Sequence, residues 1–340
     1  MTRVWFNKTF SLIHVAMKLI RMGDVGRQYN LIHSSSNPLA VGKLACDTWK
    51  VEPIGKIGKE YLDWCLSFCA DEGIDIFVPG KEASLIYAQA EDFRTVGTRI
   101  MAAASPEVIS LLHDKARFSE AIQDMDIRAV EFMRFTDLAS FEAAYAEMRG
   151  RYAVLCIKPS QSVYGIGFKR ILEDRSALEV ILSGDPYSID LASFKRALAG
   201  SALSKTMLLM PYLAGPEFSV DCVAHDGQML CGVARRKSST AGGGQAIDPR
   251  EDIQDSSKRL IERFKLNGNI NIQYRQGPEG LRVLEINPRM SGGIGMACQS
   301  GLNLPYLALA AFDRGSDHLD VPLPQYDLVV GEVNTPVSLS

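Results

Sequence analysis

The chain has 340 residues, 46% hydrophobic and 23% charged, with a formal net charge of −3. This length exceeds one typical domain and can bury a sizeable core, and the composition is that of an ordinary globular protein. A near-neutral balance argues against a nucleic-acid partner, which needs a clustered positive field. No run of about 18 apolar residues suggests a membrane span, and the start lacks an apolar core followed by a small-residue cleavage site. The seven cysteines, Cys46, Cys65, Cys69, Cys156, Cys222, Cys231 and Cys298, are scattered and form no close Cys-x-x-Cys pair. Cys65 and Cys69 share a predicted helix without a nearby histidine. Reduced, mostly buried thiols in a cytoplasmic protein are expected, not a zinc site.

In chain order, residues 4–6 read as a short buried strand, 11–21 as a helix and 29–33 as a second strand. The strand ends in His33-Ser34-Ser35-Ser36-Asn37-Pro38, a turn and helix-start signal. Residues 59–69 and 83–91 have helical spacing, and 74–78 form a β-rich run closed by Pro79-Gly80. Strands alternating with helices predict a parallel α/β sheet, so residues 1–105 read as a small Rossmann-like domain. The turn after its first strand, Asn7-Lys8-Thr9-Phe10, has no glycine fingerprint, which argues against a nicotinamide-dependent oxidoreductase. After Asp114, residues 131–135, a helix at 140–148 and a strand at 154–159 suggest a smaller α+β unit. From Leu208 onward strands dominate, at 208–213, 217–224, 228–235, 269–274 and 281–286, with a helix at 258–264. Turn pairs such as Asp226-Gly227 predict antiparallel hairpins. No internal repeat and no low-complexity linker is present.

Three segments can carry chemistry. In the first, Cys156-Ile157-Lys158-Pro159 is a buried strand ending at a lysine, followed by the loop Ser160-Gln161-Ser162-Val163-Tyr164-Gly165-Ile166-Gly167. A strand-end cation and glycine-turned backbone amides suit a phosphate, although a glycine pair alone is also an ordinary turn. In the second, an apolar strand runs through Met210-Pro211-Tyr212-Leu213 into Gly215-Pro216 and a strand that opens on Glu217. Glu217 can accept hydrogen bonds from ribose hydroxyls, and the backbone before it can read an adenine edge; taken alone the segment equals a plain hairpin. The third is the most specific: Asn271-Ile272-Gln273-Tyr274, then Leu284-Glu285-Ile286-Asn287-Pro288-Arg289-Met290-Ser291-Gly292-Gly293. Glu285 and Asn287 are two apart on one strand and share a face. With Gln273 from a neighbouring strand they offer oxygen donors suited to Mg²⁺, and Arg289 can hold a carboxylate or phosphate in bidentate fashion.

These segments, in this order, resemble the ATP-grasp superfamily, particularly its carbamoyl-phosphate-synthetase-like and biotin-carboxylase-like carboxylate–amine ligases. Val78-Pro79-Gly80-Lys81-Glu82 is similar to the Pro-Gly-x-Glu turn of the family's N-terminal domain, and Asp114-Lys115 to the pair that opens its ATP-binding region. The opening Val4-Trp5-Phe6-Asn7-Lys8-Thr9-Phe10-Ser11 resembles ATP-grasp proteins of tellurium-resistance-type stress operons. The resemblance implies an α/β and α+β chain in three parts: a Rossmann-like pre-ATP-grasp domain over 1–105, a small ATP-grasp subdomain with the phosphate loop over 106–205, and a C-terminal ATP-grasp subdomain with adenine hinge and metal site over 206–340. It implies that Lys115, Lys158, Ser160, Gly165 and Gly167 contact ATP phosphates. Met210, Tyr212 and Leu213 would form the adenine hinge, and Glu217 would bind ribose. Gln273, Glu285 and Asn287 would hold Mg²⁺, with Mn²⁺ as a substitute, and Arg289 would orient the carboxylate or acyl phosphate.

The implied reaction is attack of a carboxylate on the γ-phosphate and capture of the acyl phosphate by an amine, with small-molecule carboxylate and amine partners and a homodimer as the family habit. It needs charge neutralisation and water exclusion more than a protein nucleophile, and no Gly-x-Ser-x-Gly elbow or Walker-type Gly-Lys-Ser/Thr occurs. The phosphate loop is less glycine-rich than in many members, and Tyr164 is large for a flap. The chain is expected to end near the sheet, without the extra C-terminal domain of biotin-carboxylase-like members.

Arg235-Arg236-Lys237 precedes a glycine-rich loop reaching Gln245. In the resembling family this position faces the active site, which makes Arg235 and Arg236 candidates, with Arg289, for catalytic contact with an anionic substrate or the γ-phosphate. A solvated charge run explains them equally well. His33 ends a strand where such sheets bind ligands, but a helix cap at Ser36 or Asn37 is an equal explanation for the serines that follow. A non-catalytic ATP-binding or regulatory module on the same fold is the alternative function.

Overall fold

The computed structural model describes residues 1–8, 12–162, 165–200, 203–238, 243–333 and 335–339. The predicted turn at 7–10, the phosphate loop at 160–167 and the loop at 235–245 each include residues outside that set, Tyr164 among them. The chain divides into two compact units. The first comprises Met1–Ser110, Glu217–Gln273 and Ile286–Ser340, the second Leu111–Pro216 and Tyr274–Glu285.

The N-terminal segment runs β1 (Thr2–Phe6), α1 (Ile13–Gly23), β2 (Tyr29–Ser35), β3 (Thr48–Val51), α2 (Gly58–Glu72), β4 (Ile76–Val78), α3 (Ala83–Ala88), α4 (Ala90–Thr95) and β5 (Arg99–Ile100). The strands form one parallel sheet in the order β3-β2-β1-β4-β5. Both faces are covered, so its central strands read as continuous apolar runs. Trp5, Ile32 and Phe77 pack against α2 residues Tyr61 and Cys65 on one side, while Val4, Phe6, Leu31 and Ile76 meet α1 residues Met17 and Ile20 on the other. The helix expected at 83–91 is two short helices divided at Gln89. Two edge strands, β3 and β5, are only four and two residues long and escaped the sequence reading.

The expected turn after His33 does not begin there, because β2 continues to Ser35. Its polar residues are buried with partners. Ser34 Oγ accepts from Trp5 Nε1 (2.8 Å) and donates to Glu52 Oε1 (2.9 Å). Glu52, itself buried, also accepts from the Lys8 amide (2.6 Å) and the Tyr61 hydroxyl (3.0 Å). Asn7 accepts from the Gly80 amide (2.6 Å) and donates to the Lys81 carbonyl (3.0 Å), so the carboxyl ends of β1, β2 and β4 are tied together. Asn37 makes an Asx turn to the Leu39 amide (3.0 Å) and caps no helix.

His33 is a core histidine, its Nδ1 2.8 Å from the Phe6 carbonyl oxygen and its ring against Trp49. Burial lowers its pKa from the ordinary 6.5. The unfolded chain therefore takes the proton first as pH falls, so the stability this neutral ring contributes is present above about pH 6.5 and is lost below it. His33→Gln should flatten the decline of the urea midpoint between about pH 7 and 5; an unchanged slope would assign that decline to other groups.

The middle segment contains α5 (Pro106–His113), α6 (Lys115–Ala121), β6 (Met133–Phe135), α7 (Leu138–Arg149), β7 (Leu155–Pro159), β8 (Lys169–Leu172), α8 (Ala177–Leu182), β9 (Ser188–Asp190), α9 (Leu191–Gly200) and β10 (Met207–Pro211). Its sheet has the order β6-β10-β7-β8-β9, antiparallel except for the β8–β9 pair. Phe135, Phe141, Ile157, Phe194 and Leu209 form the core beneath it. The hairpin reading of residues 208–224 is corrected here. Strand β10 pairs with β6 and β7, so Ala214-Gly215-Pro216 joins two sheets.

The last segment holds β11 (Glu217–His225), β12 (Gln228–Arg236), β13 (Gln245–Asp248), α10 (Glu251–Phe264), β14 (Gly268–Gly277), β15 (Gly280–Asn287), α11 (Ile294–Ala297), α12 (Leu304–Arg314) and β16 (Val329–Val330). The strand order is β15-β14-β11-β12-β13-β16. The β11–β12 hairpin turns at Asp226 (φ 49°) and Gly227 (φ 74°), the left-handed pair that a two-residue hairpin loop requires. Val223, Val233, Ile247, Leu302 and Leu307 make its apolar interior. All seven cysteines are free thiols, and among the described residues no helix is long and apolar enough to cross a membrane.

Candidate functional site

In the second unit, Asp114 caps α6, its carboxylate accepting from the Ala116 (3.0 Å) and Arg117 (3.2 Å) amides. The cap also accepts from Ser160 Oγ at 2.5 Å, and the Lys115 amide donates to the Ser160 carbonyl at 3.0 Å. The start of the predicted phosphate loop is therefore pinned to the helix that begins at Lys115. Lys158 lies near the end of β7. Its ammonium is 2.9 Å from Glu285 Oε2, and that of Lys115 is 3.4 Å from the same oxygen. Lys115 Nζ also donates to the Ser162 carbonyl (2.9 Å). Burial first, and the neighbouring Lys158 second, lower the Lys115 pKa, while Glu285 opposes the shift. Two clustered cations on one carboxylate are an arrangement that a polyphosphate can replace.

Gly165 (φ 69°) and Gly167 (φ 82°) occupy the left-handed region, and a Cβ at Gly167 would stand 2.7 Å from Pro159 Cγ. Met210 faces Cys156 across the β10–β7 pair, and the Tyr212 amide continues that ladder to the Val154 carbonyl (2.9 Å). The Tyr212 ring lies beneath the guanidinium groups of Arg170 (5.5 Å to the centroid) and Arg275 (5.4 Å). A Cβ on Gly215 would stand 2.3 Å from the Gln276 carbonyl oxygen, so glycine is required there.

In the first unit, Glu217 opens β11 and its carboxylate pairs with Lys237 Nζ. On β15, buried Ile286 separates Glu285 from Asn287, placing those two side chains on the opposite face. On β14, Gln273 alternates with buried Ile272 and Tyr274 in the same way. Asn287 Oδ1 accepts from Arg289 Nη2 (3.3 Å), and Arg289 Nη1 donates to the Met290 carbonyl (3.1 Å).

The adjacent arginines Arg235 and Arg236 have opposite fates. Arg236 is half-exposed and pairs with Asp248 (3.3 Å). Arg235 is 2% exposed. Its Nε and Nη2 donate to Asp221 Oδ2 (3.1 and 2.6 Å), Nη2 also reaches Ser219 Oγ (3.3 Å) and Ser291 Oγ (3.1 Å), and Nη1 meets Gln245 Oε1. A Cβ on Gly293 would stand 2.3 Å from Arg235 Nη1, which explains a glycine at that point of the Ser-Gly-Gly turn.

Residues 203–336 match a family model described as ATP-grasp in the biosynthetic pathway with Ter operon. The chain is 23% identical over 255 residues to the multifunctional protein pyr-3 of Neurospora crassa, covering 68% of this chain and 13% of that protein. It is 25% identical over 233 residues to the carbamoyl phosphate synthase large chain of Clostridium acetobutylicum, covering 65% of this chain and 20% of that one. The chain thus spans only a small part of the length of these curated relatives. The crystal structure of an N5-carboxyaminoimidazole ribonucleotide synthetase in complex with ADP shares the fold, with a TM-score of 0.65 at 13% identity over 96% of this chain and 79% of that one. Residues 203–336 of the chain are thus similar to an ATP-grasp family, and the chain shares its fold with that synthetase.

The chain carries its predicted residues in two sets. Lys115, Lys158, Ser160 and Glu285 are gathered in the second unit, where Gly165, Gly167, Met210, Tyr212 and Leu213 also lie. Glu217, Gln273, Asn287, Arg289, Arg235 and Arg236 belong to the first. The operon-linked likeness noted on residues 4–11 meets a family model of that kind, matched on a different segment. Sequence reasoning assigned no role to Asp221, Asn271, Ser219 or Ser291, which form a buried polar cluster around Arg235. A signal existed: Glu217-Phe218-Ser219-Val220-Asp221 alternates polar and apolar residues and so marks a polar face on β11.

Proposed function

We propose that this chain is an ATP-dependent ligase that activates a carboxylate as an acyl phosphate and transfers the acyl group to an amine, forming a C–N bond with release of ADP and phosphate. The observation that carries this reading is the convergence of Lys115 and Lys158 on Glu285, beside a capped helix and a glycine-containing loop. The similarity of residues 203–336 to an ATP-grasp family and of the chain to a carbamoyl phosphate synthase large chain supports it. The three-part division at about residues 105 and 205 is kept as a functional one.

In this reading the ammonium groups of Lys115 and Lys158 bind the β- and γ-phosphates, and the Ser160–Gly167 loop supplies amide donors. The 210–213 backbone reads adenine, and Glu217 accepts from ribose hydroxyls after parting from Lys237. A substrate carboxylate oxygen attacks the γ-phosphorus and ADP departs with the electrons of the broken bond. The amine then attacks the carbonyl carbon, phosphate leaves, and the amine gives up a proton. Arg289 holds the carboxylate and then the acyl phosphate by paired N–H donors. Among the described residues no cluster of three or more His, Cys, Asp or Glu side chains suits a metal. One carboxylate with amide oxygens is nonetheless a donor set that fits Mg²⁺, which keeps waters and takes its remaining ligands from phosphates. Glu285, Asn287 and Gln273 would hold it, and when bound it would neutralise charge developing on the transferred phosphoryl group. Arg235, being enclosed, suits the support of other residues better than contact with substrate.

The test is ADP release from Mg-ATP in the presence of pooled amino acids and dicarboxylates. Stimulation by one carboxylate and one amine together is the expected result. Measurable ATP binding without ADP release from any pool would favour a non-catalytic ATP-binding module.

A further inference from the structure

The polar interior of the first unit contains a chain of side chains that ends on Asn287. Arg235 fixes Asp221 by two donors on Oδ2 (3.1 and 2.6 Å). The other carboxylate oxygen, Oδ1, accepts from Asn271 Nδ2 at 3.1 Å. That nitrogen also reaches Ser219 Oγ (2.9 Å) and the Val220 carbonyl (3.2 Å), so three acceptors hold the Asn271 amide in one orientation. Its Oδ1 is thereby turned toward Asn287, whose Nδ2 donates to it at 3.4 Å. With its nitrogen drawn to that side, Asn287 presents Oδ1 on the other, where Arg289 Nη2 lies at 3.3 Å. The first three members, Arg235, Asp221 and Asn271, are each almost wholly buried.

We propose that Arg235, Asp221 and Asn271 form a positioning relay that fixes the side-chain amide of Asn287, so that its oxygen and not its nitrogen faces the magnesium of the bound nucleotide. A flipped amide would point N–H groups at a cation. Partners behind a metal ligand commonly set its orientation, and their loss costs about 10–100-fold in metal affinity. The relay rests on the assignment of Asn287 as a metal ligand in the proposed function. It gives a positioning role to Asn271 and explains why Arg235, in an exposed-looking charge run, is buried.

The experiment is calorimetric titration with ADP, with and without Mg²⁺, for wild type, Asn271→Ala, Asn287→Ala and the double variant. Asn271→Ala should leave metal-free ADP affinity within about twofold while reducing the gain that Mg²⁺ brings roughly tenfold. In the Asn287→Ala background the same change should have little further effect, because the two act through one group. Equal weakening with and without Mg²⁺, or multiplicative effects of the two substitutions, would overturn the relay alone. A Mg²⁺ gain that is absent in wild type, or undiminished by Asn287→Ala, would overturn the metal assignment and the relay with it. Should Asn271→Ala not fold, Ser219→Ala loosens the same amide and should reduce the Mg²⁺ gain about threefold; an unchanged gain overturns the relay.

Discussion

Glu285→Ala should abolish turnover, by roughly a thousandfold or more, with little loss of stability. The carboxylate sits against two ammonium groups, at 2.9 Å from Lys158 and 3.4 Å from Lys115; in the proposed function Glu285 would help hold magnesium, and the two lysines would bind the phosphates. Loss of a metal ligand at a transferring phosphoryl group removes several kcal/mol of transition-state stabilisation, and about 4 kcal/mol corresponds to a thousandfold in rate. Glu285→Gln should share that loss but also release both lysines from their acidic partner. Metal-free ADP should then bind more tightly than to wild type, by roughly tenfold, because the anion no longer displaces a carboxylate from a partly buried cluster. The two readouts move in opposite directions, which a general loss of folding could not produce. Wild-type-like turnover in either variant would sink the metal assignment. Weaker metal-free ADP binding in Glu285→Gln would show that the carboxylate does not compete with phosphate for the lysines.

Asp221→Ala should be the most destabilising of the polar substitutions considered. Asp221 and Arg235 are 1% and 2% exposed, and the aspartate accepts two of the guanidinium's hydrogen bonds. Removing one member of such a pair strands a buried charge, which costs about 3–5 kcal/mol. The urea midpoint should fall accordingly at unchanged slope. Asp221→Leu combined with Arg235→Met should recover a large part of that loss, since replacing both charges by apolar groups removes the stranded ion. A single variant within about 1 kcal/mol of wild type would show that Ser219, Gln245 and Ser291 satisfy the guanidinium without Asp221.

The core strands were legible because their residues answer to local physics. Trp5, Ile32 and Phe77 lie in strands buried on both faces and read as apolar runs, and Asp226-Gly227 is turn chemistry that needs no tertiary partner. The candidate site was legible where it follows from spacing. Glu285 and Asn287 share a face through strand alternation. Other features depended on partners far along the chain. Strand β10 looks like half of a hairpin with β11 but pairs with β6 and β7. Serines 34 and 35 look like a turn because polar residues usually face water, yet Glu52 and Trp5 supply partners that make Ser34 a strand-core residue.

Residue types and their spacing by themselves carried the resemblance to the ATP-grasp superfamily, the lysine, glutamate and asparagine constellation and the alternation of strands and helices. Only the tertiary structure decided which charges do what. Lys115 and Lys158 are 43 positions apart in the chain, and both meet Glu285 only once the second unit has folded. Arg235 and Arg236 are neighbours in sequence, but β12 turns one inward to Asp221 and the other outward to Asp248. Local sequence states that a charge is present; whether it is solvated, paired or positioning another group depends on the dielectric and the partners that folding places around it.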